Sequence, residues 1–211
     1  MNRNDLILYA VTDRAWLNGR TLAEDVEKAL KGGVTMIQLR EKEMSQEAFI
    51  DEAREIKRLT DSYHVPLIIN DNIDVCLAVD ASGVHVGQDD MAAGDVRAKI
   101  GPDKILGVTA KTVEQALAAQ TAGADYLGSG AIFGSTTKKD AKSMTEERLK
   151  EIADSVDIPV VAIGGIDADN VTKLVHLGLA GAAIVSGIFA QPDVEAAARR
   201  LRPLCEAVSR D

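Results

Sequence analysis

Thr35-Met36-Ile37-Gln38-Leu39-Arg40-Glu41-Lys42 is a short apolar run that ends in charge. Seven further runs of Val, Ile, Leu and small residues share its character, at 6–11, 67–69, 83–86, 104–108, 126–133, 160–163 and 182–185. A stretch with helical spacing separates each pair. Eight βα units predict a closed (β/α)8 barrel, a TIM barrel, formed as a single domain over residues 1–211. In that fold the C-terminal ends of the strands carry the active site, so polar residues there read as functional. Those ends supply Gln38, Arg40, Lys42, Asn70, Asp71, Asp90, Thr109, Lys138, Gly164, Gly165 and Ser186. They are parts suited to a diphosphate, a metal and a phosphate.

Composition agrees with a barrel. Hydrophobic residues make up 46% and aromatics only 3%, so Ala, Val, Ile and Leu must build the core. The runs are mostly unbroken rather than alternating, as in parallel strands covered by helices. An open doubly wound sheet is the rival, but the regular strand spacing favours closure. The net charge of −9 argues against nucleic acid or an anionic membrane as partner, so an anionic ligand needs a local cationic cluster. Cys76 and Cys205 match no metal motif and read as buried thiols in a reducing cytoplasm. Residues 1–5 lack a signal-peptide core, and no run approaches a membrane span. The sequence leaves open whether the chain forms a homo-oligomer.

Helix signals punctuate the runs. Leu22, Val26, Ala29 and Leu30 follow Thr21 as a cap, and Phe49, Ala53 and Ile56 follow Ser45. Val113, Ala116 and Leu117 follow Thr112, with Gly123 as a stop. The last stripe, from Val194 to Cys205, contains Pro203, which predicts a kink.

Alternation places Met36, Gln38 and Arg40 on one face of the second strand, with Ile37 and Leu39 toward the helices. Arg40 in a barrel mouth needs an anion. Either a phosphate supplies it, with Lys42 adding a point charge, or Arg40 pairs with Glu41 or a neighbouring strand's carboxylate. Asp71 and Asp90 end adjacent strands and suit a shared Mg2+; alternatively, Asp89 and Asp90 cap the next helix. Residues 134–140 carry Ser135, Thr136, Thr137, Lys138 and Lys139, either as a mobile cover or as a plain polar loop. Gly165 and Ser186 end the last two strands, where such barrels frequently hold phosphate, or are ordinary turns. His85 reads as an interior histidine, and His64 and His176 as surface residues.

Taken in order, these motifs resemble the thiamine-phosphate synthase family. The resemblance runs from Leu8-Tyr9-Ala10-Val11-Thr12-Asp13 through Gln38-Leu39-Arg40-Glu41-Lys42, Asn70-Asp71 and Gly83-Val84-His85-Val86-Gly87-Gln88-Asp89-Asp90. It continues through Leu106-Gly107-Val108-Thr109 and the segment 130–141 to Ile163-Gly164-Gly165-Ile166 and Val185-Ser186-Gly187. It implies a cytoplasmic transferase joining hydroxymethylpyrimidine diphosphate to a thiazole ethyl phosphate, or its carboxylated form. Thiamine phosphate and diphosphate are the products. The resemblance places Gln38, Leu39, Arg40, Glu41, Lys42, Asn70 and Lys138 around the pyrimidine diphosphate and Asp71 and Asp90 on Mg2+. Thr109 then lies beside the pyrimidine, Ser135, Thr136 and Thr137 on the thiazole side, and Gly165, Val185 and Ser186 on its phosphate. Arg40, Lys138 and Thr109 are the residues it implies for catalysis.

Four positions depart from the family pattern. Ala131 and Gly134 stand where many relatives have proline, Ser135 where threonine is common, and Lys111 where histidine is frequent. Two alternatives share the fold: a thiazole tautomerase, which needs no diphosphate clamp, and a noncatalytic thiazole-phosphate-binding relative. The joint presence of Arg40, Lys42, Asp71, Asp90 and Lys138 speaks against the first, and the retained metal ligands speak against the second.

Overall fold

The computed structural model describes residues 1–134 and 143–209. Its strands are β1 (Leu8–Val11), β2 (Met36–Leu39), β3 (Leu67–Asn70), β4 (Gly83–Val86), β5 (Ile105–Thr109), β6 (Tyr126–Gly130), β7 (Val160–Ile163) and β8 (Gly181–Ile184). Every neighbouring pair is parallel, and β8 returns to β1 to close the barrel. Closure leaves no edge for another strand to join.

Alternation sorts the side chains. Tyr9, Val11, Met36, Ile68, Tyr126, Val161 and Ala183 pack together inside the barrel. Leu8, Ala10, Ile37, Leu39, Leu67 and Ile69 join the larger layer beneath the helices. Burying each such Leu or Ile contributes ~1.5–3 kcal/mol. This register fixes which residues of β2 face inward, because a slip of one residue would exchange Gln38 for Leu39.

The helices are α1 (Leu22–Lys31), α2 (Gln46–Ser62), α3 (Ile73–Ala78), α4 (Ala93–Ile100), α5 (Val113–Thr121), α6 (Glu146–Ser155), α7 (Ser186–Phe189) and α8 (Val194–Ser209). Thr21, Ser45 and Thr112 accept from the backbone N–H groups of Glu24, Ala48 and Gln115, as their sequence signals predict. Gly123 follows α5 at φ +89°, a left-handed conformation suited to a helix stop.

Three expectations are corrected. The connection from β7 to β8 is a single 3-10 turn, Val171–Leu174, rather than an α-helix. Asp167 Oδ1 accepts from the N–H groups of Asp169 and Asn170, and this local bonding competes with helix formation. The run 126–133 is a strand only to Gly130. Beyond it, Ile132 N and Phe133 N donate to Ile163 O and Gly164 O at 3.0 Å each, which carries the chain across the end of β7. The run 6–11 begins in a 3-10 turn, Arg3–Leu6, closed by a capping box between Asn2 and Asp5. The last helix continues through Pro203 to Ser209.

Cys76 and Cys205 are free and buried, and burial pushes their thiols up to about 11 and about 12. Among the described residues, no helix is long and apolar enough to cross a membrane.

Candidate active site

The C-terminal mouth of the barrel holds a cavity of about 310 Å3. Its walls include Gln38 in β2 with Arg40 and Lys42 after it, Asn70 at the end of β3 with Asp71 after it, and Asp90 after β4. Thr109 at the end of β5, Gly165 after β7, and Val185 and Ser186 after β8 also line it. Strand topology thus gathers residues spread from 38 to 186 at one end of the fold.

Each cation has a distinct setting. Thr12, fully buried at the end of β1, accepts from Arg40 N at 3.0 Å and fixes the backbone where β2 ends. The Arg40 guanidinium has no carboxylate partner among the described residues. Glu41 pairs instead with Arg14 at 2.7 Å, and Arg14 also reaches Glu52. Lys42 Nζ meets Asp71 Oδ2 at 2.5 Å. The structural pairing considered for Arg40 is therefore taken up by other residues. A cavity-facing guanidinium without a carboxylate is available to an anion.

The carboxylates face one another across adjacent strands. Burial pushes Asp71 above the usual carboxylate range; Lys42 opposes that shift and the nearby Asp90 adds to it. Asp71 sits at φ +60°, a left-handed conformation that Asp tolerates better than most residues, held by its N–H on His85 O at 2.8 Å. Asp90 Oδ2 accepts from Gly87 N at 2.6 Å. The helix that follows starts at Ala93 with Ala92 as its cap, so neither Asp89 nor Asp90 caps it. Asn70 Nδ2 donates to Asp71 Oδ1 at 3.0 Å, while Asn70 Oδ1 is buried without a partner among the described residues.

This donor set suits a hard cation. Two carboxylates repel each other, and an oxygen beside them lacks a donor. No group of three or more His, Cys, Asp or Glu that could hold a metal occurs among the described residues. Mg2+ typically takes one or two carboxylates and completes its shell with water and substrate phosphate, so two suffice.

The opposite wall sets the glycines 164 and 165 among apolar side chains, Ile163, Ile166 and Val185. Gly164 and Gly165 take φ +103° and +63°, and a Cβ on Gly165 would lie 2.4 Å from Phe133 O. The crossing of residues 131–134 over β7 therefore demands glycine there. Asn170 Nδ2 holds Gly165 O at 2.8 Å, and Ser186 opens α7.

Leu39 and Glu41 do not line the cavity. Leu39 is buried beneath the helices, and the Glu41 side chain is engaged by Arg14. Ser135, Thr136, Thr137 and Lys138 lie outside the described residues. Tyr9, Gln88 and Lys111 line the cavity without having been singled out as ligands, and His85 joins them. The inward alternation of Tyr9 with Val11 and of His85 with Gly83 was the available signal.

A closed parallel barrel with cations and paired carboxylates at the C-terminal mouth defines the class: a (β/α)8 protein built to handle phosphorylated small molecules. The chain belongs to the thiamine monophosphate synthase family, whose profile matches residues 8–188. A thiamine-phosphate synthase of Clostridium tetani is 53% identical over 201 residues, covering 95% of this chain and 96% of its own. One of Ruminiclostridium cellulolyticum is 52% identical over 197 residues, covering 93% and 94%. The thiamine phosphate pyrophosphorylase structure of Pyrococcus furiosus superposes with a TM-score of 0.90 at 39% identity, over 98% of both chains.

Proposed function

We propose that this chain is an enzyme that condenses hydroxymethylpyrimidine diphosphate with thiazole ethyl phosphate, or its carboxylated form, to give thiamine phosphate and diphosphate, with carbon dioxide also released when the carboxylated form reacts. The observation that carries this reading is the Arg40 guanidinium in the cavity wall, without a carboxylate partner among the described residues, beside Lys42 and the Asp71–Asp90 pair. Full-length similarity to thiamine-phosphate synthases supports it.

The bond that breaks joins the pyrimidine's exocyclic methylene carbon to the diphosphate oxygen. The 4-amino group donates electron density into the ring, so departure leaves a stabilised cation. The thiazole nitrogen lone pair then forms the new carbon–nitrogen bond. No protein nucleophile is required.

The chain's task is to hold charge and geometry. Arg40, Lys42 and Lys138 meet the negative charge growing on the departing diphosphate, commonly the largest catalytic contribution. Asn70 joins them in holding that group. Asp71 and Asp90 would hold Mg2+, which would supply further positive charge against the diphosphate. Gln38 and Thr109 hold the pyrimidine edge. Gly165, Val185 and Ser186 take the thiazole phosphate, and Ser135, Thr136 and Thr137 line the thiazole. Holding the two rings face to face lowers the entropic part of the barrier. Two free buried thiols support a reducing cytoplasm as the place of action.

The test is turnover of purified protein with both substrates, with and without Mg2+. Equimolar thiamine phosphate and diphosphate, abolished by EDTA, is the expected result. Binding of thiazole phosphate without product would overturn it.

A further inference from the structure

A chain of hydrogen bonds crosses the floor of the cavity. Gln38 Nε2 lies 2.6 Å from Tyr9 OH, and Tyr9 OH lies 2.7 Å from Tyr126 OH. Tyr126 OH lies 3.0 Å from His85 Nδ1, and His85 Nε2 lies 3.0 Å from Thr109 Oγ1. Five side chains from β2, β1, β6, β4 and β5 are thus strung together. Both ends, Gln38 and Thr109, line the cavity.

Neighbouring strands make room for this chain. A Cβ on Gly107 would stand 2.3 Å from Tyr126 OH and 2.5 Å from His85 Nδ1, directly against the central link. A Cβ on Gly128 would press on the His85 ring at 3.2 Å. Two strands forgo side chains where the tyrosine and the histidine meet.

With one proton in each link and a neutral imidazole, the five groups have two fully ordered states that run in opposite senses. Burial holds both phenols far above their ordinary ionisation range, which keeps Tyr9 and Tyr126 protonated. In one state Gln38 donates to Tyr9, Tyr9 to Tyr126, Tyr126 to His85 Nδ1, and His85 Nε2–H to Thr109. Gln38 then offers its amide carbonyl to a ligand, and Thr109 offers a hydroxyl proton. The other state reverses every link, and the two ends exchange roles.

We propose that Tyr9, Tyr126 and His85 are positioning residues that tie the hydrogen-bonding sense of Gln38 to that of Thr109, and so select an aminopyrimidine over its oxo counterpart. This deepens the proposed function and rests on it. An aminopyrimidine edge presents an amine donor beside a ring-nitrogen acceptor. It matches the first state at both ends at once. The oxo form presents a carbonyl beside a ring N–H and requires the whole chain to reverse. A mismatch at one end is therefore felt at the other, 71 residues away in sequence.

Two measurements test the relay. Nitrogen NMR of the unmodified protein with aminopyrimidine diphosphate bound should find His85 neutral with its proton on Nε2. A proton on Nδ1 would overturn the proposal. The ratio of Kd for the 4-oxo and 4-amino pyrimidine diphosphates should be at least about tenfold in the unmodified protein, and should fall about tenfold in Tyr126→Phe and in Tyr9→Phe. Phe keeps each ring and removes one link, so a merely structural role would weaken both ligands alike. An unchanged ratio in protein that still condenses the aminopyrimidine substrate removes the relay and leaves the proposed function standing. Binding of neither diphosphate removes both. Should Tyr126→Phe fail to fold, Tyr9→Phe and the His85 tautomer decide.

Discussion

The two walls of the cavity use different chemistry. After β2, β3 and β4 the wall is made of side chains: Arg40, Lys42, Asp71 and Asp90. After β6, β7 and β8 the described residues of the wall carry no charge: glycines at 130, 164 and 165 and the apolar Ala131, Ile163, Ile166 and Val185 line it, with Ser186 opening a short helix. Side-chain charge suits a group that gains charge during reaction, because it can be concentrated where charge develops. Main-chain N–H groups suit a phosphate that stays constant and needs only to be held. The asymmetry follows the proposed division between a departing diphosphate and a spectator phosphate.

The sharpest way to break that comparison is to remove charge from the first wall. Arg40→Ala is expected to lower kcat roughly a thousandfold, about 4 kcal/mol, while raising KM much less. Steady-state kinetics with each substrate varied in turn reads this directly. A change confined to KM would make Arg40 a ground-state clamp. Asp71→Asn should come next, moving the Mg2+ concentration for half-maximal rate upward by ~10–100-fold. A metal titration identical to the parent's would take Asp71 out of the metal site. It would also leave its ion pair with Lys42 as its main role.

The second wall should respond differently. Gly165→Ala forces a side chain at φ +63° into the Phe133 carbonyl, 2.4 Å away. The cost is ~1–3 kcal/mol of stability. A KM for thiazole phosphate raised about tenfold, with kcat for the diphosphate step nearly kept, is the expected kinetic pattern. Equal loss with respect to both substrates would mean that the two walls act as one.

The same asymmetry decided what the sequence revealed. The inward face of β2 was readable because period-two alternation assigns Gln38 and Arg40 to one side of a strand. The charged ends of β3 and β4 were readable because barrel topology brings successive strands together. Two features were not. The fate of Glu41 depended on Arg14 and on Glu52 in α2, tertiary neighbours with no sequence spacing to announce them. The strand-like run 126–133 departs from β6 at Gly130 because its next N–H groups bond across β7, and apolar character says nothing about where a ladder ends. The stretch between β7 and β8 kept helical spacing while Asp167 diverted its backbone into a 3-10 turn.

The smallest effect comes from the support behind the charged wall. Arg14 spans Glu41 and Glu52, which brings a carboxylate of α2 against one from the segment that carries Arg40 and Lys42. Burial, then the hydrogen bond and charge of Glu41, push Glu52 up to about 7, with Arg14 opposing. Because the folded value lies above the unfolded one, the native state binds more protons between about 4.5 and about 7. Stability is therefore full at the acid end of that window. It falls as pH rises, and the loss is complete above about 7. Arg14, the exposed partner of both carboxylates, offsets part of it and leaves a loss of ~1 kcal/mol. Denaturant unfolding at pH 5 and pH 8 should show it, and Glu52→Gln, which stays neutral, should flatten the difference. A slope unchanged in Glu52→Gln would assign the titration elsewhere. A slope that vanishes while kcat keeps its own pH profile would separate the support of the charged wall from its chemistry.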